Sequence, residues 1–146
     1  MLKQILDLSN YYLNPYAIPV ILVSILISSI GVFVLKQNKR SLINTAFSLQ
    51  CFSVSFWLFT ISIVYLSRIA GIALFWYRYF TFLGVVNIMP SVYLFAAVWS
   101  GEIKRKRRFV FINYMIPFIF YILTNTTNKF ILPYDMRRYF WGFYPI

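Results

Sequence analysis

Four long apolar runs, separated by short polar or basic segments, constrain this chain more than any other feature of its sequence. They cover residues 17–35, 42–66, 72–99 and 109–123. A helix needs about 20 apolar residues to cross the hydrocarbon core of a bilayer, so the fourth run is short for a span. The residues are 61% hydrophobic and 12% charged, which is more apolar than a soluble domain. We therefore predict an all-α integral membrane protein, a bundle of four transmembrane helices in a single domain.

Basic residues between the runs predict the orientation of this bundle. Lys36, Lys39 and Arg40 follow the first run, and the unbroken basic run 104–108 precedes the fourth. Cytoplasmic loops carry an excess of Lys and Arg, so both segments are expected inside and both termini outside. The net charge of +11 is then explained by membrane orientation and contact with lipid rather than by nucleic acid. We expect a multi-pass protein of the cell inner (plasma) membrane.

The residues needed for most catalytic and metal chemistry are missing from the sequence. It has no histidine, one cysteine and three acidic residues, which are Asp7, Glu102 and Asp135. Histidine is the commonest general base and metal ligand, and no paired carboxylates or phosphate-binding glycine loop replaces it. No catalytic residue, metal or cofactor is predicted. Proton-coupled transport is disfavoured because no carboxylate lies within an apolar run.

Small and polar residues form stripes along the first two runs, as is typical of packed transmembrane helices. The first seam consists of Asn44, Ser48, Cys51, Ser55 and Ser62 in the second run, and Ser24, Ser28 and Gly31 form a shorter seam in the first. A second stripe on the opposite face of the second run consists of Gln50, Ser53, Trp57 and Thr60. Two stripes predict a central position for that helix. Helix packing, with Gly84 of the third run included, is the main interpretation, and ligand contact is the alternative.

Arg78 lies inside the apolar register of the third run. A charged residue within the membrane is a candidate functional residue, and the alternative is that its head reaches the headgroups beside Trp76. Pro90 lacks a main-chain donor and predicts a bend near Asn87. Such a bend can open a pocket. Arg78, Trp76, Asn87 and Pro90 are therefore candidates for contact with a ligand or signal.

Three groups of residues occur in a distinctive order along the chain. They are Asn44, Phe47 and Trp57; then Phe75-Trp76-Tyr77-Arg78 with Gly84, Pro90, Phe95 and Ser100-Gly101; then Thr124-Asn125 and Tyr139-Phe140-Trp141-Gly142-Phe143-Tyr144-Pro145. The ordered set resembles the N-terminal seven-transmembrane sensor region of bacterial histidine kinases. The resemblance implies a bundle that senses an extracellular or membrane-borne signal for a cytoplasmic kinase-type output domain. It also implies that Arg78 and the outer aromatic tail 124–146, with Trp141, face the signal.

The sequence departs from that resemblance at its end. It stops at Ile146, where the family would begin a fifth helix, so the resemblance predicts a truncated sensor or one part of a split receptor. The expected partners are membrane lipid, the remaining receptor helices and an output domain, and homo-oligomerisation through uncovered seams stays open. The alternative function is a small helical membrane protein with a partner or scaffold role. A transporter or channel is the third candidate.

Overall fold

The computed structural model describes residues 2–127 and 136–145. The elements in chain order are α1 (Leu2–Leu6), a short 3-10 turn (Leu8–Asn10), α2 (Ala17–Gln37), α3 (Leu42–Leu66), α4 (Ala70–Trp99), α5 (Ile103–Thr126), β1 (Met136–Tyr139) and β2 (Gly142–Pro145). The helices α2 to α5 are each long and apolar enough to cross a membrane. The prediction of four helices of spanning length is therefore confirmed.

The helix limits differ from the predicted ones mainly at α5. This helix begins at Ile103 rather than at residue 109, so the basic run forms its first turns and not a loop. Lysine and arginine are good helix formers, and Lys106 forms an ion pair with Glu102 one turn earlier. The helix α3 begins where predicted because the Ser41 hydroxyl accepts a hydrogen bond from the Asn44 main-chain N–H at 3.4 Å.

The four long helices form an open row in chain order. Contacts join α2 to α3, α3 to α4 and α4 to α5, and within the described residues α2 and α5 share no extensive contact. The bundle is thus not closed around a central core. The helix α3 is one of the two inner helices of the row, with α2 on one side and α4 on the other, so it has neighbours on both faces as its two polar stripes predict.

The contact between α2 and α3 runs along the small-residue seam. Ser24 and Ser55 are reciprocally bonded, each hydroxyl donating to the other residue's carbonyl, at 2.9 and 2.8 Å. The Ser48 hydroxyl donates to the Gly31 carbonyl at 2.8 Å. A Cβ added at Gly31 would lie 2.9 Å from the Cβ of Cys51. Small side chains therefore let the two backbones approach closely, and the buried Cys51 lies where they do so.

The contact between α3 and α4 is also set by a glycine. A Cβ added at Gly84 would lie 2.8 Å from the Cα and 3.0 Å from the main-chain nitrogen of Trp57. Because both atoms belong to the backbone, a side chain at residue 84 could be accommodated only by moving the helices apart. Ser28 and Asn44 complete the set of predicted packing residues. Ser28 lines the groove between α2 and α3, and the Asn44 amide donates to the Val34 carbonyl at 3.1 Å.

Candidate functional site

The two ends of the helix row differ in character. The basic end carries residues 36–40 and 104–108, where α2 ends and α5 begins. The hairpin end carries β1 and β2, which pair in antiparallel register and pack against the ends of α3 and α4. Residues 128–135 of the predicted aromatic tail lie outside the described residues. The candidate site is built at the hairpin end, where several predicted residues meet.

The hairpin is fixed to α3 and α4 by burial and by one glycine. The buried side chains shared by the three elements are Met136, Phe143, Val64 and Ala73. Gly142 has a φ of 137°, a conformation that other residues rarely adopt. A Cβ at Gly142 would also lie 2.9 Å from the Cα of Tyr65. The hairpin backbone therefore lies directly on the last turns of α3.

Asn14 links three segments at the hairpin end. It is 2% exposed, and its Nδ2 lies 2.9 Å from the Tyr65 carbonyl and 2.7 Å from the Trp141 carbonyl, to both of which it donates. Its Oδ1 accepts from the main-chain N–H of Tyr16 at 3.1 Å. A buried amide without partners would cost about 1–3 kcal/mol, so these bonds hold the chain before α2, the end of α3 and the hairpin together.

The chain before α2 contacts the start of α4 through Trp76. The indole Nε1 of Trp76 donates to the Tyr11 hydroxyl at 2.9 Å, and Tyr11 pairs with Ser67 in an isolated antiparallel bridge. In the same segment, the Ser9 main-chain N–H donates to Asp7 Oδ1 at 3.0 Å and lowers the pKa of that exposed carboxyl. Trp76 thus anchors the N-terminal segment to α4.

Aromatic rings cover the exposed side of the hairpin. Tyr139 and Trp141 stack with centroids 4.8 Å apart and planes 3° from parallel. The Arg138 guanidinium lies 5.7 Å from the ring centroid of Tyr12, within the range of a cation–π contact. Trp141 therefore contributes both a ring to this cover and a carbonyl to Asn14.

Arg78 lies in a π-helical turn of α4, Tyr77–Thr81. Such turns add one residue to the helical register and occur often at functional sites. Here the turn has Tyr77 packed edge-on against Tyr144 of the hairpin, with centroids 6.2 Å apart, while Arg78 reaches the end of α5. This turn interrupts the α-helical hydrogen bonding of α4, and the helix is α-helical again from Phe82 to Trp99, through Pro90.

The Arg78 guanidinium binds main-chain carbonyls at the C-terminal end of α5. Its Nε donates to the Thr124 carbonyl at 2.9 Å, and its Nη2 donates to the carbonyls of Asn125 at 3.2 Å and Thr127 at 2.9 Å. The last carbonyls of a helix have no intrahelical donor and form the negative end of its dipole. A planar guanidinium is suited to satisfy several of them together. Arg78 therefore acts as a clasp between α4 and α5.

Asn87 and Pro90 lie deeper in α4 and apart from the hairpin end. The Asn87 amide donates to the Leu83 carbonyl one turn earlier, at 2.8 Å, and Asn87 borders a pocket of about 160 Å³ between α4 and α5 that Tyr114 also lines. Pro90 is buried in helix packing. The structure therefore brings Arg78, Trp76 and Trp141 to one end of the molecule and leaves Asn87 and Pro90 outside that group.

Sequence reasoning missed several residues of the hairpin end. Asn14 was not a candidate, although an asparagine before a predicted span is a reasonable signal for a buried link. Tyr65 and Tyr77 were not candidates either, and they line one pocket together with Tyr144 of the predicted signal-facing tail. Within residues 2–127 and 136–145, no group of three or more His, Cys, Asp or Glu side chains could hold a metal ion.

A family model for the N-terminal 7TM region of histidine kinase matches residues 19–144. The chain belongs to this family. The match covers most of the sequence, including all of α3, α4 and α5 and nearly all of the hairpin. This 7TM region is a sensor region of kinase receptors and not a catalytic domain, and the four spanning-length helices make the chain a multi-pass membrane protein. No curated protein and no solved structure matches the chain.

Proposed function

We propose that this chain is the sensory module of a kinase receptor, detecting an extracellular or membrane-borne signal at the hairpin end. The observation that carries the proposal is the family match over residues 19–144. The geometry supports it, because the hairpin, α3, α4 and α5 are joined at one end by Asn14 and Arg78. A signal bound at the hairpin end would lie beside the ends of α3 and α4, on which the hairpin packs, and both helices run from there to the basic end.

The proposed partner is a cytoplasmic histidine-kinase output domain. The 146 residues contain no histidine, so the phosphorylated histidine must belong to other residues of the receptor, on the same or another polypeptide. The test is to tag this chain at its own locus, purify the assembly in mild detergent and supply radiolabelled ATP. We expect labelled phosphate that resists base and is lost in acid, as phosphohistidine does. An assembly without such label would refute the proposal.

The proposed orientation places the chain in the inner (plasma) membrane, with the basic end on the cytoplasmic side and both termini outside. It follows from the excess of Lys and Arg at the basic end. A reporter that is active only outside that membrane should give a signal when fused after Ile146. The same reporter fused after Arg108 should be silent. The reverse pattern would overturn the orientation and would put the hairpin end on the cytoplasmic side.

A partner or scaffold role remains the second candidate function. It is favoured by the groove at the basic end, where Arg107 and Arg108 lie beside Phe111 and Ile112, a combination that suits anionic lipid at a membrane surface. The phosphorylation test separates the two functions. A scaffold would co-purify with partners that carry no acid-labile phosphate, whereas a sensor module would co-purify with a kinase that does.

A further inference from the structure

A pocket of about 390 Å³ lies beneath the hairpin, on one face of the helix row. Its walls come from α2, α3, α4 and β2, and the residues that matter here are Val20, Trp57, Tyr65, Tyr77, Val85 and Tyr144. The volume is within the range of small-molecule sites, which are typically about 300–1,000 Å³. Four separate elements therefore border a half-open space large enough for a ligand.

The pocket is polar at one end and apolar at the other. Tyr65, Tyr77 and Tyr144 lie under the hairpin, and among the described residues none of their three hydroxyls has a hydrogen-bond partner. Trp57 and Val85 line the part that lies farther from the hairpin. Trp57 precedes Tyr65 by two helical turns, which is about 12 Å along the axis. The three tyrosines thus lie at the hairpin end of the pocket, and mainly apolar side chains line the rest.

The charge of the lining restricts the ligand further. Among the residues that the structure describes, no Lys, Arg, Asp or Glu side chain lines the pocket. A phosphate or carboxylate placed there would lack a counter-ion in a low-dielectric site, which is unfavourable. A neutral hydroxyl or carbonyl would instead exchange hydrogen bonds with the phenols. The lining therefore favours a neutral head over the anionic headgroups of ordinary membrane lipid.

We propose that this pocket binds a neutral amphipathic small molecule, with its hydroxyl or carbonyl head among Tyr65, Tyr77 and Tyr144 and its hydrocarbon tail against Trp57. The proposal rests on the proposed sensory function and names the chemical class of its signal. The pocket also lies at the contact between α3 and α4. The backbone of Trp57, one of its lining residues, closely approaches Gly84, so a ligand against this indole would act where the spacing of the two helices is set.

The test uses 12-bromododecan-1-ol as a probe, because its terminal bromine quenches tryptophan fluorescence at short range. The complete chain is placed in phosphatidylcholine nanodiscs and titrated. We expect saturable quenching for the wild type and an affinity at least tenfold lower for Val85→Phe, which fills the pocket. Val92→Phe is the matched control, since Val92 lies two turns further along α4 and is 38% exposed, against 39% for Val85. This variant should bind as the wild type does.

Two further titrations test the head group without relying on a filled pocket. The triple variant Tyr65→Phe, Tyr77→Phe and Tyr144→Phe keeps the rings and should weaken binding of the alcohol about tenfold, the effect of about 1.4 kcal/mol. The anionic probe 12-bromododecanoate should bind the wild type more weakly than the alcohol does. Linear quenching without saturation, equal behaviour of the two valine variants, or tighter binding of the anion would each overturn the proposal.

The pocket proposal and the proposed sensory function can be refuted independently of each other. Saturable binding by a chain whose assembly carries no phosphohistidine would refute the sensory function and leave the pocket established. A labelled assembly whose chain shows only linear quenching would refute the pocket and leave the sensory function in place.

Discussion

Replacing Arg78 with alanine should loosen the last turn of α5, because it removes the clasp between α4 and that helix end. The guanidinium donates to the carbonyls of Thr124, Asn125 and Thr127 at 2.9, 3.2 and 2.9 Å. Without it these carbonyls must bond water or lose their partners. The helix itself offers them no donor, because the N–H groups four residues later in the chain would lie beyond its end.

The expected magnitude follows from the burial of the three carbonyl groups. A hydrogen bond to a charged group contributes about 1.5–3 kcal/mol net, and a cation at a helix C-terminus adds about 0.3–1 kcal/mol. Thr124 is 2% exposed, so water cannot replace its hydrogen bond and the full free energy of that bond is lost. Asn125 and Thr127 are only partly buried, and water can replace most of their bonds. We therefore expect Arg78→Ala to lower the opening free energy of the last turn by about 2–3 kcal/mol.

Hydrogen exchange of the chain in nanodiscs measures this directly. Since 1.4 kcal/mol is a factor of ten, amides of residues 124–127 should exchange roughly 30–150 times faster in Arg78→Ala. Arg78→Lys keeps the charge but not the planar fork and should give an intermediate rate. Arg68→Ala removes an exposed cation at the same end and should change nothing. Wild-type exchange in Arg78→Ala would refute the clasp and restore the interpretation of Arg78 as a residue reaching the headgroups.

Two other substitutions test the packing of α3. Gly84→Ala should destabilise the chain by about 1–3 kcal/mol, because the added Cβ would lie 2.8 Å from the backbone of Trp57. Gly71→Ala is the control, since a Cβ there has no atom within 4 Å. Equal denaturant midpoints for the two variants would contradict the predicted contact. Asn14→Ala should speed proteolysis of the hairpin by removing a link worth about 1–3 kcal/mol. Asn38→Ala, at the exposed basic end, should not, and equal cleavage rates would show that the hairpin is held without Asn14.

The spans could be predicted because their signal is local. Each depends on the length of an apolar run and on the charges that flank it, so the predicted limits of α3 match the observed ones. The start of α5 could not be predicted from the length of the apolar run. Hydropathy marks where lipid contact begins, but the helix continues into residues 104–108 because lysine and arginine favour helix and Glu102 pairs with Lys106.

The hairpin end could not be predicted because its contacts are distant in sequence. Asn14 bonds to the carbonyl of Trp141, and Arg78 bonds to that of Thr124. The strands are four residues each, too short to stand out by alternation, and two of the four residues of β1 are arginines. They are stabilised by the ends of α3 and α4, against which Met136 and Phe143 are buried. A polar residue in a span indicates that a partner exists, but only the fold identifies it.

The arrangement of contacts along α4 indicates where a receptor built on this chain could move. Arg78 ties α4 to α5, and Gly84 ties it to the Trp57 backbone of α3 less than two turns later. The π turn Tyr77–Thr81 lies between the hairpin and the Gly84 contact, and an α-helical turn at this place would differ from it by one residue of register. A ligand can shift an equilibrium only by its difference in affinity for the two states. Tyr77 belongs to both the turn and the pocket, so a ligand held by its hydroxyl would bind the two registers of α4 unequally.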